Sequence, residues 1–198
     1  VDVGACGSYT RAQVTGPAAE RLVRHGKVVY VGSSNFAGWH IVKANESAQK
    51  RNFLGLVSEQ SLYNLAARTV ELEVLPACQE YGVGVIPWSP LAGGMLGGMS
   101  DPSTGRRKQL QPRYERAKAK IDRYEKFCAD RGQEPANVAL GWLLHQKGVT
   151  APIIGPRTLE QFTGALGAID IELDDAALKE LDEIFPGPGG RAPEAYAW

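Results

Sequence analysis

Residues 26–36 read GKVVYVGSSNF and decide the fold. The run at 28–34 is short, apolar and rich in β-branched side chains, which is typical of a buried strand. Similar runs recur along the chain at 54–59 (LGLVSE), 82–88 (GVGVIPW) and 151–155 (APIIG). Each is followed by a segment with helical spacing of apolar residues, and this alternation builds parallel sheets. The sequence therefore predicts an α/β fold.

The helical segments are expected at about 17–25, 38–51, 69–81, 112–131, 135–147, 158–168 and 174–184. Asp174 and Asp175 suit the start of the last helix, because carboxylates there accept free backbone N–H groups. The stretch 93–112 is rich in Gly, Pro, Ser and charge, which predicts a long surface loop that could close over a ligand. The chain thus divides into an irregular segment at 1–16, a β/α domain at 17–185 and a tail at 186–198.

Composition excludes several classes of protein. The 198 residues contain 22 Lys and Arg against 22 Asp and Glu, so no basic excess favours nucleic acid or a membrane surface. No apolar run approaches the ~20 residues that span a bilayer, and the first residues lack the apolar core of a signal peptide. These features predict a cytoplasmic protein. Cys6, Cys78 and Cys128 are far apart and odd in number, which predicts free thiols and neither a disulfide framework nor a zinc site.

Polar and aromatic residues follow the four predicted strands. Ligands bind at the carboxyl edge of a parallel sheet, where loops and helix starts converge. Ser34 and Asn35 follow the first strand, Gln60 the second, Trp88 the third and Arg157 the fourth. Gln60 offers a donor and an acceptor to a planar amide, and an arginine at a helix start suits a phosphate. Together these residues predict a site that could hold an amide and a phosphate.

In their order, four motifs resemble the aldo-keto reductase family. They are GKVVYVGSSNF, SEQSLYNLAAR, GVGVIPWSPLAGGML and APIIGPRTLEQ, and the likeness extends over about residues 17–198. The ending FPGPGG…PEAYAW is similar to bacterial members that include NDP-hexose 2,3-enoyl reductases. The resemblance implies a partial TIM-type (β/α)8 barrel of about the last four βα units, which binds NADP(H).

The resemblance also implies residue roles. Ser34, Asn35 and Gln60 would hold the nicotinamide carboxamide, and Trp88 would stack on the nicotinamide ring. The remaining contacts would be made by residues of the third and fourth motifs: Ser89, Leu91 and Gly93 along the pyrophosphate, Arg157 at the adenosine 2′-phosphate, and Gln161 beside the ribose and adenine. Two positions depart from the family pattern: Met99 stands after the loop glycines, where a Lys is frequent, and Ala165 stands where an Asn contacts adenine. Arg106 or Arg107 could replace the lost phosphate contact.

No catalytic residue is predicted. The family's catalytic Tyr, Lys, Asp and His belong to the first half of the barrel, which these motifs do not include. His25, His40 and His145 lie outside the family's catalytic context, and Tyr30 and Tyr63 are not the expected acid. A complete barrel takes ~250 residues, so the sequence predicts half a barrel.

Two functional hypotheses remain open. One is an NADP(H)-dependent oxidoreductase of a carbonyl compound or NDP-sugar, whose catalytic residues lie elsewhere. The other is a non-catalytic nucleotide-binding or structural partner protein. A phosphate-binding half-barrel of an isomerase or synthase type ranks lower, because Gln60 and Trp88 suit a nicotinamide. The open edges of a half-barrel predict a homodimer or a complex with a complementary half.

Overall fold

The strands form one parallel sheet with the order β1-β2-β3-β4. The computed structural model describes residues 2–3, 9–98 and 106–192. The strands are β1 Asp2–Val3, β2 Val31–Ser34, β3 Leu56–Gln60 and β4 Gly84–Val85. Ser34 lies opposite Gln60, so two of the predicted site residues end adjacent strands. The predicted α/β class, with a small parallel sheet and helices, is confirmed.

The helices alternate with these strands and then continue beyond them. Their bounds are α1 Tyr9–Arg24, α2 Gly38–Gln49, α3 Val74–Glu80, α4 Arg106–Asp130, α5 Pro135–His145, α6 Leu159–Leu166 and α7 Asp175–Ile184. The residues at the first turn explain where two of these helices begin. Pro135 occupies the first turn of α5, where its missing N–H costs nothing. Asp174 caps α7 as predicted, because its Oδ1 accepts a hydrogen bond from the Ala177 N–H at 2.8 Å.

The predicted fourth strand at 151–155 is wrong. This segment has no regular secondary structure and makes one backbone bond in which the Ile153 N–H donates to the Pro87 carbonyl at 2.8 Å. Pro152 and Pro156 have no N–H, so the segment has few donors for a ladder. The sheet instead gains β1, which lies in the segment 1–16 that was expected to be irregular.

Three helix starts also differ from the sequence prediction, and one of them is that of α3, which begins at Val74 and not at 69. Helix α1 starts at Tyr9, ahead of the predicted start at 17. Helix α4 starts at Arg106 and includes Pro112, so the predicted loop 93–112 is too long. Residues 106–111 are RRKQLQ, and these side chains are good helix formers, which outweighs the proline signal. Residues 99–105 of that loop lie outside the described residues.

The described chain forms two compact units. The first contains the described residues within Val1–Leu62 and Thr69–Ile86 and those from Pro188 onward, and it holds the whole sheet. Its late segment is joined to it by the Ala192 N–H, which donates to the Leu72 carbonyl at 2.8 Å.

The second unit contains Tyr63–Arg68 and the described residues within Pro87–Gly187, and it is built from helices α4 to α7. Its core includes Tyr63 and Trp142, which pack edge to face at 5.4 Å. Tyr124 and Phe185 make a second edge-to-face pair at 5.7 Å.

Candidate functional site

Ser34, Asn35 and Gln60 lie together at the carboxyl edge of the sheet. The Gln60 carbonyl accepts two hydrogen bonds, from the Ser34 hydroxyl at 3.0 Å and from the Asn35 backbone N–H at 3.0 Å. The Asn35 side-chain amide donates to the Ser34 hydroxyl at 3.2 Å. Asn35 has a left-handed backbone with φ 55°, a conformation that Asn tolerates better than most residues. The structure therefore brings the three residues predicted for a carboxamide into one cluster.

The side chain of Gln60 is available to a ligand. It is half-buried, and its carboxamide makes no hydrogen bond to any of the described residues. One acceptor oxygen and two donor hydrogens are therefore free at the end of β3. A planar amide on a ligand could pair with both groups at once.

Glu59 lies beside this cluster and has no role among the predicted residues. It is fully buried and accepts hydrogen bonds from the Ser33 hydroxyl, from the Phe36 N–H at 3.0 Å and from the Ser61 hydroxyl at 2.7 Å. Burial raises the pKa of the Glu59 carboxyl, and these bonds oppose that rise. The signal in the sequence is a charged residue within a predicted buried strand, where it must find partners.

The loop after β4 has an unusual backbone. Ser89 and Ala92 have positive φ values of 53° and 51°, and Gly93 follows with 74°. The Ser89 hydroxyl accepts from the Gly93 N–H at 3.1 Å, and the Ser89 carbonyl accepts from the Ala92 N–H at 2.9 Å. The buried Asn64 side chain also donates to this carbonyl at 2.9 Å. These bonds hold non-glycine residues in a costly conformation, which is frequent at ligand-binding loops.

Trp88 and Leu91 belong to the same loop, and both are half-buried. The Leu91 carbonyl accepts from the Gly94 N–H at 2.8 Å and from the Leu96 N–H at 3.2 Å. The loop is thus closed on itself around Leu91, and Trp88 beside it is partly accessible. An aromatic side chain on such a loop can stack against a flat ligand.

Arg157 and Gln161 meet at the start of α6. The Thr158 hydroxyl accepts from the Gln161 N–H at 3.2 Å, and the Gln161 side-chain oxygen accepts from the Arg157 backbone N–H at 2.8 Å. Both side chains are exposed, and the Arg157 guanidinium makes no ion pair with any residue that the structure describes. Gln161 therefore has a structural role as part of the helix cap, and Arg157 is a free cation beside the helix start.

The predicted residues thus form separate clusters. Ser34, Asn35 and Gln60 meet in the first unit. The loop of Trp88, Ser89, Leu91 and Gly93 and the pair Arg157 and Gln161 lie in the second unit. Met99 lies outside the described residues, and Ala165 is a half-buried residue of α6.

Tyr63, His40 and His145 make contacts within the structure, and His25 is exposed. Tyr63 is fully buried, and its hydroxyl donates to the Gln146 side chain at 3.4 Å. His145 Nδ1 lies 2.8 Å from the Gly141 carbonyl of its own helix. His40 stacks on Trp39 with ring centroids 3.6 Å apart.

Two negative findings concern the described ranges alone. Among those residues, no group of three or more His, Cys, Asp or Glu side chains could hold a metal ion. No helix within the same ranges is long and apolar enough to cross a bilayer.

Comparison with known proteins identifies the family. A sequence model of the aldo/keto reductase family matches residues 12–185. The chain belongs to the aldo/keto reductase family. It is 52% identical over 186 residues to the uncharacterized oxidoreductase YrpG of Bacillus subtilis, an alignment that covers 91% of this chain and 56% of that protein.

More distant relatives agree with this assignment. An aldo-keto reductase of Fusarium vanettenii is 33% identical over 176 residues, with 85% of this chain and 47% of that protein covered. Versiconal hemiacetal acetate reductase of Aspergillus parasiticus is 30% identical over 177 residues, with 85% and 51% covered. This aldo/keto reductase chain therefore spans about half the length of the curated relatives that it matches. Members of the family are oxidoreductases that generally use NAD(P)H.

Proposed function

We propose that this chain binds NADP(H) and forms the cofactor-binding half of a barrel-type aldo/keto reductase. In the complete enzyme, the bound cofactor supplies a hydride to a carbonyl compound or to an NDP-sugar. The residues of this chain bind and orient the cofactor, and the acid that protonates the substrate belongs to the other half.

The observation that carries the proposal is the free carboxamide of Gln60 at the end of β3. A nicotinamide carboxamide has one acceptor oxygen and two donor hydrogens, so it is complementary to the Gln60 side chain. The hydroxyl of Ser34 and the amide of Asn35 lie at the same edge and add further polar contacts. A fixed orientation of the carboxamide also fixes which face of the nicotinamide ring is presented.

The family resemblance assigns the other contacts to residues of the second unit. Trp88 stacks on the nicotinamide ring, Ser89, Leu91 and Gly93 line the pyrophosphate, and Arg157 pairs with the 2′-phosphate. Arg157 has no competing ion pair among the described residues, so it binds a phosphate without losing a partner. The oxygen of Gln161 is already bonded to the Arg157 N–H, so this side chain contacts the ribose and adenine through its amide nitrogen.

A second candidate is a nucleotide-binding protein without catalysis. It is supported by the same contacts and by the structural roles of Tyr63, His40 and His145. Detection of the first half of the barrel, on the same polypeptide or on a partner, would favour the enzyme, and a protein that works without it would favour the binding protein.

Calorimetric titration with NADPH tests the proposal through Gln60. Gln60→Ala removes about two neutral hydrogen bonds, worth roughly 0.5–1.5 kcal/mol each, so the affinity should fall by about five- to a hundredfold. Gln49→Ala is the matched control, because Gln49 is an exposed glutamine of α2 in the same unit. Equal affinity of the Gln60→Ala and wild-type proteins would overturn the assignment of the carboxamide.

The proposed half-barrel associates with a second copy or with a complementary half. Several large apolar side chains are exposed in each unit: Val29, Tyr30 and Leu54 in the first, and Leu159, Phe162 and Ile169 in the second. Association removes such surface from water at ~25 cal/mol per Å². Light scattering at micromolar concentration should give a mass above that of one 21.4 kDa chain. A stable, cooperatively unfolding monomer would contradict this.

A further inference from the structure

We infer that Glu59 is a positioning residue for the nicotinamide end of the cofactor, because it sets the backbone that carries Ser34, Asn35 and Gln60. This inference rests on the proposed function, since it concerns the same site. It adds a residue that does not itself contact the cofactor.

The Glu59 carboxylate joins three points that bracket the site residues. One oxygen accepts from the Phe36 N–H at 3.0 Å and from the Ser61 hydroxyl at 2.7 Å, and the other accepts from the Ser33 hydroxyl. Ser33 and Phe36 flank Ser34 and Asn35 on both sides. Ser61 and Glu59 flank Gln60 in the same way. One buried side chain thus ties the β2–α2 loop to the end of β3.

The backbone of Asn35 shows why this tie matters. Its φ of 55° lies in the left-handed region, which Asn tolerates but does not require, so the surrounding contacts help to hold it there. The Asn35 N–H is bonded to the Gln60 carbonyl, and the next N–H, of Phe36, is bonded to Glu59. Consecutive N–H groups are therefore anchored to consecutive residues of β3. Loss of the Glu59 contact would free the peptide that follows Asn35.

The strand geometry keeps Glu59 away from the ligand. Side chains of successive strand residues point to opposite faces, so Glu59 and Gln60 face different sides of the sheet. Glu59 has 0% exposed surface, and its charge contributes to the raised pKa of Cys78 in helix α3. It acts through the loop and not through direct contact.

The test separates the two ends of the cofactor. Calorimetry measures the affinities for NADPH and for adenosine 2′,5′-bisphosphate, and their ratio is the contribution of the nicotinamide half. Glu59→Gln keeps the volume of the side chain but places a donor against hydroxyls that now donate. In Glu59→Gln, the ratio of the NADPH affinity to the bisphosphate affinity should fall roughly tenfold, as expected when one hydrogen bond to a charged group is lost. The affinity for the bisphosphate itself should stay unchanged.

Asn45→Ala is the matched control. Asn45 is also buried, and its side-chain oxygen accepts from the Leu56 N–H at 2.7 Å, at the opposite end of the same strand. This substitution should lower the melting temperature without changing the affinity ratio. If Glu59→Gln does not fold, Ser33→Ala removes one of the three donors and should lower the ratio in the same direction.

The outcomes are distinct. Parallel losses of both affinities in Glu59→Gln, or an unchanged ratio, would overturn the positioning role and leave the proposed function standing. A wild-type protein that binds no NADPH, or that binds NADPH no better than the bisphosphate, would overturn the nicotinamide site itself, and the role of Glu59 with it.

Discussion

Substitution of Arg157 by alanine should separate NADPH from NADH. The guanidinium is exposed and has no ion pair to break within the described part of the chain, so its bonds to a 2′-phosphate are a net gain. Hydrogen bonds to charged groups are worth ~1.5–3 kcal/mol, which corresponds to a roughly ten- to hundredfold loss of NADPH affinity. NADH has no 2′-phosphate, so its affinity should change by less than about twofold. Calorimetric titration of both cofactors measures the two effects.

The local structure makes this substitution a clean one. Gln161 accepts from the backbone N–H of Arg157, which alanine retains, so the cap of α6 should remain intact. Arg116→Ala on α4 is the control for the loss of an exposed positive charge, and it should affect neither cofactor. Equal losses of NADPH and NADH affinity in Arg157→Ala would refute the reasoning and show that Arg157 is structural.

Three further predictions concern catalysis, stability and thiol chemistry. Under the proposed function, the purified chain should not sustain NADPH oxidation with aldehydes, ketones or unsaturated sugar nucleotides, because the proton donor belongs to the other half of the barrel. Turnover that is abolished by changing one of the chain's own tyrosines or histidines would contradict this. In urea unfolding, Arg68→Met should lower the free energy of unfolding by about 3 kcal/mol. Arg68 donates a hydrogen bond to the Phe185 carbonyl at 3.0 Å, and its guanidinium lies 5.0 Å from the centre of the Trp142 ring. Asp182→Asn should lower the same free energy by less than about 1 kcal/mol, because the Asp182 side chain, which pairs with Arg68, is 54% exposed. If the two substitutions lower it equally, the ion pair accounts for the whole contribution of Arg68. Burial raises the pKa of Cys78 to about 12, so at pH 8 a thiol reagent should label it far faster in the unfolded than in the folded protein; equal labelling rates would contradict the buried thiol.

Much of the sheet could be predicted from local sequence because buried parallel strands are continuous apolar runs. The runs at 28–34 and 82–88 contain β2 and β4, and the run at 54–59 contains all of β3 except Gln60. The run at 151–155 is also short and apolar but forms no ladder, because its prolines leave few N–H donors and a strand also needs a partner with matching acceptors. The apolar pattern does not report that partner.

The candidate site could be predicted to a similar extent. The meeting of Ser34, Asn35 and Gln60 follows from strand ends that share one edge of a sheet. The bonds of Glu59 to residues 33, 36 and 61 depend on the register between β2 and β3. The apolar runs that predict these two strands do not determine that register. The same limit applies to Gln161, whose bond to the Arg157 N–H depends on how the helix begins.

The hydrogen bond from Ala192 to Leu72 sets an order of events during synthesis of the chain. The strands of the first unit leave the ribosome early, and the helices of the second unit follow them. The stretch from Pro188, which belongs with the first unit, emerges only afterwards. The first unit therefore lacks this contact until the whole second unit has been translated, and a chain truncated within α7 would contain the strands of the sheet without that contact.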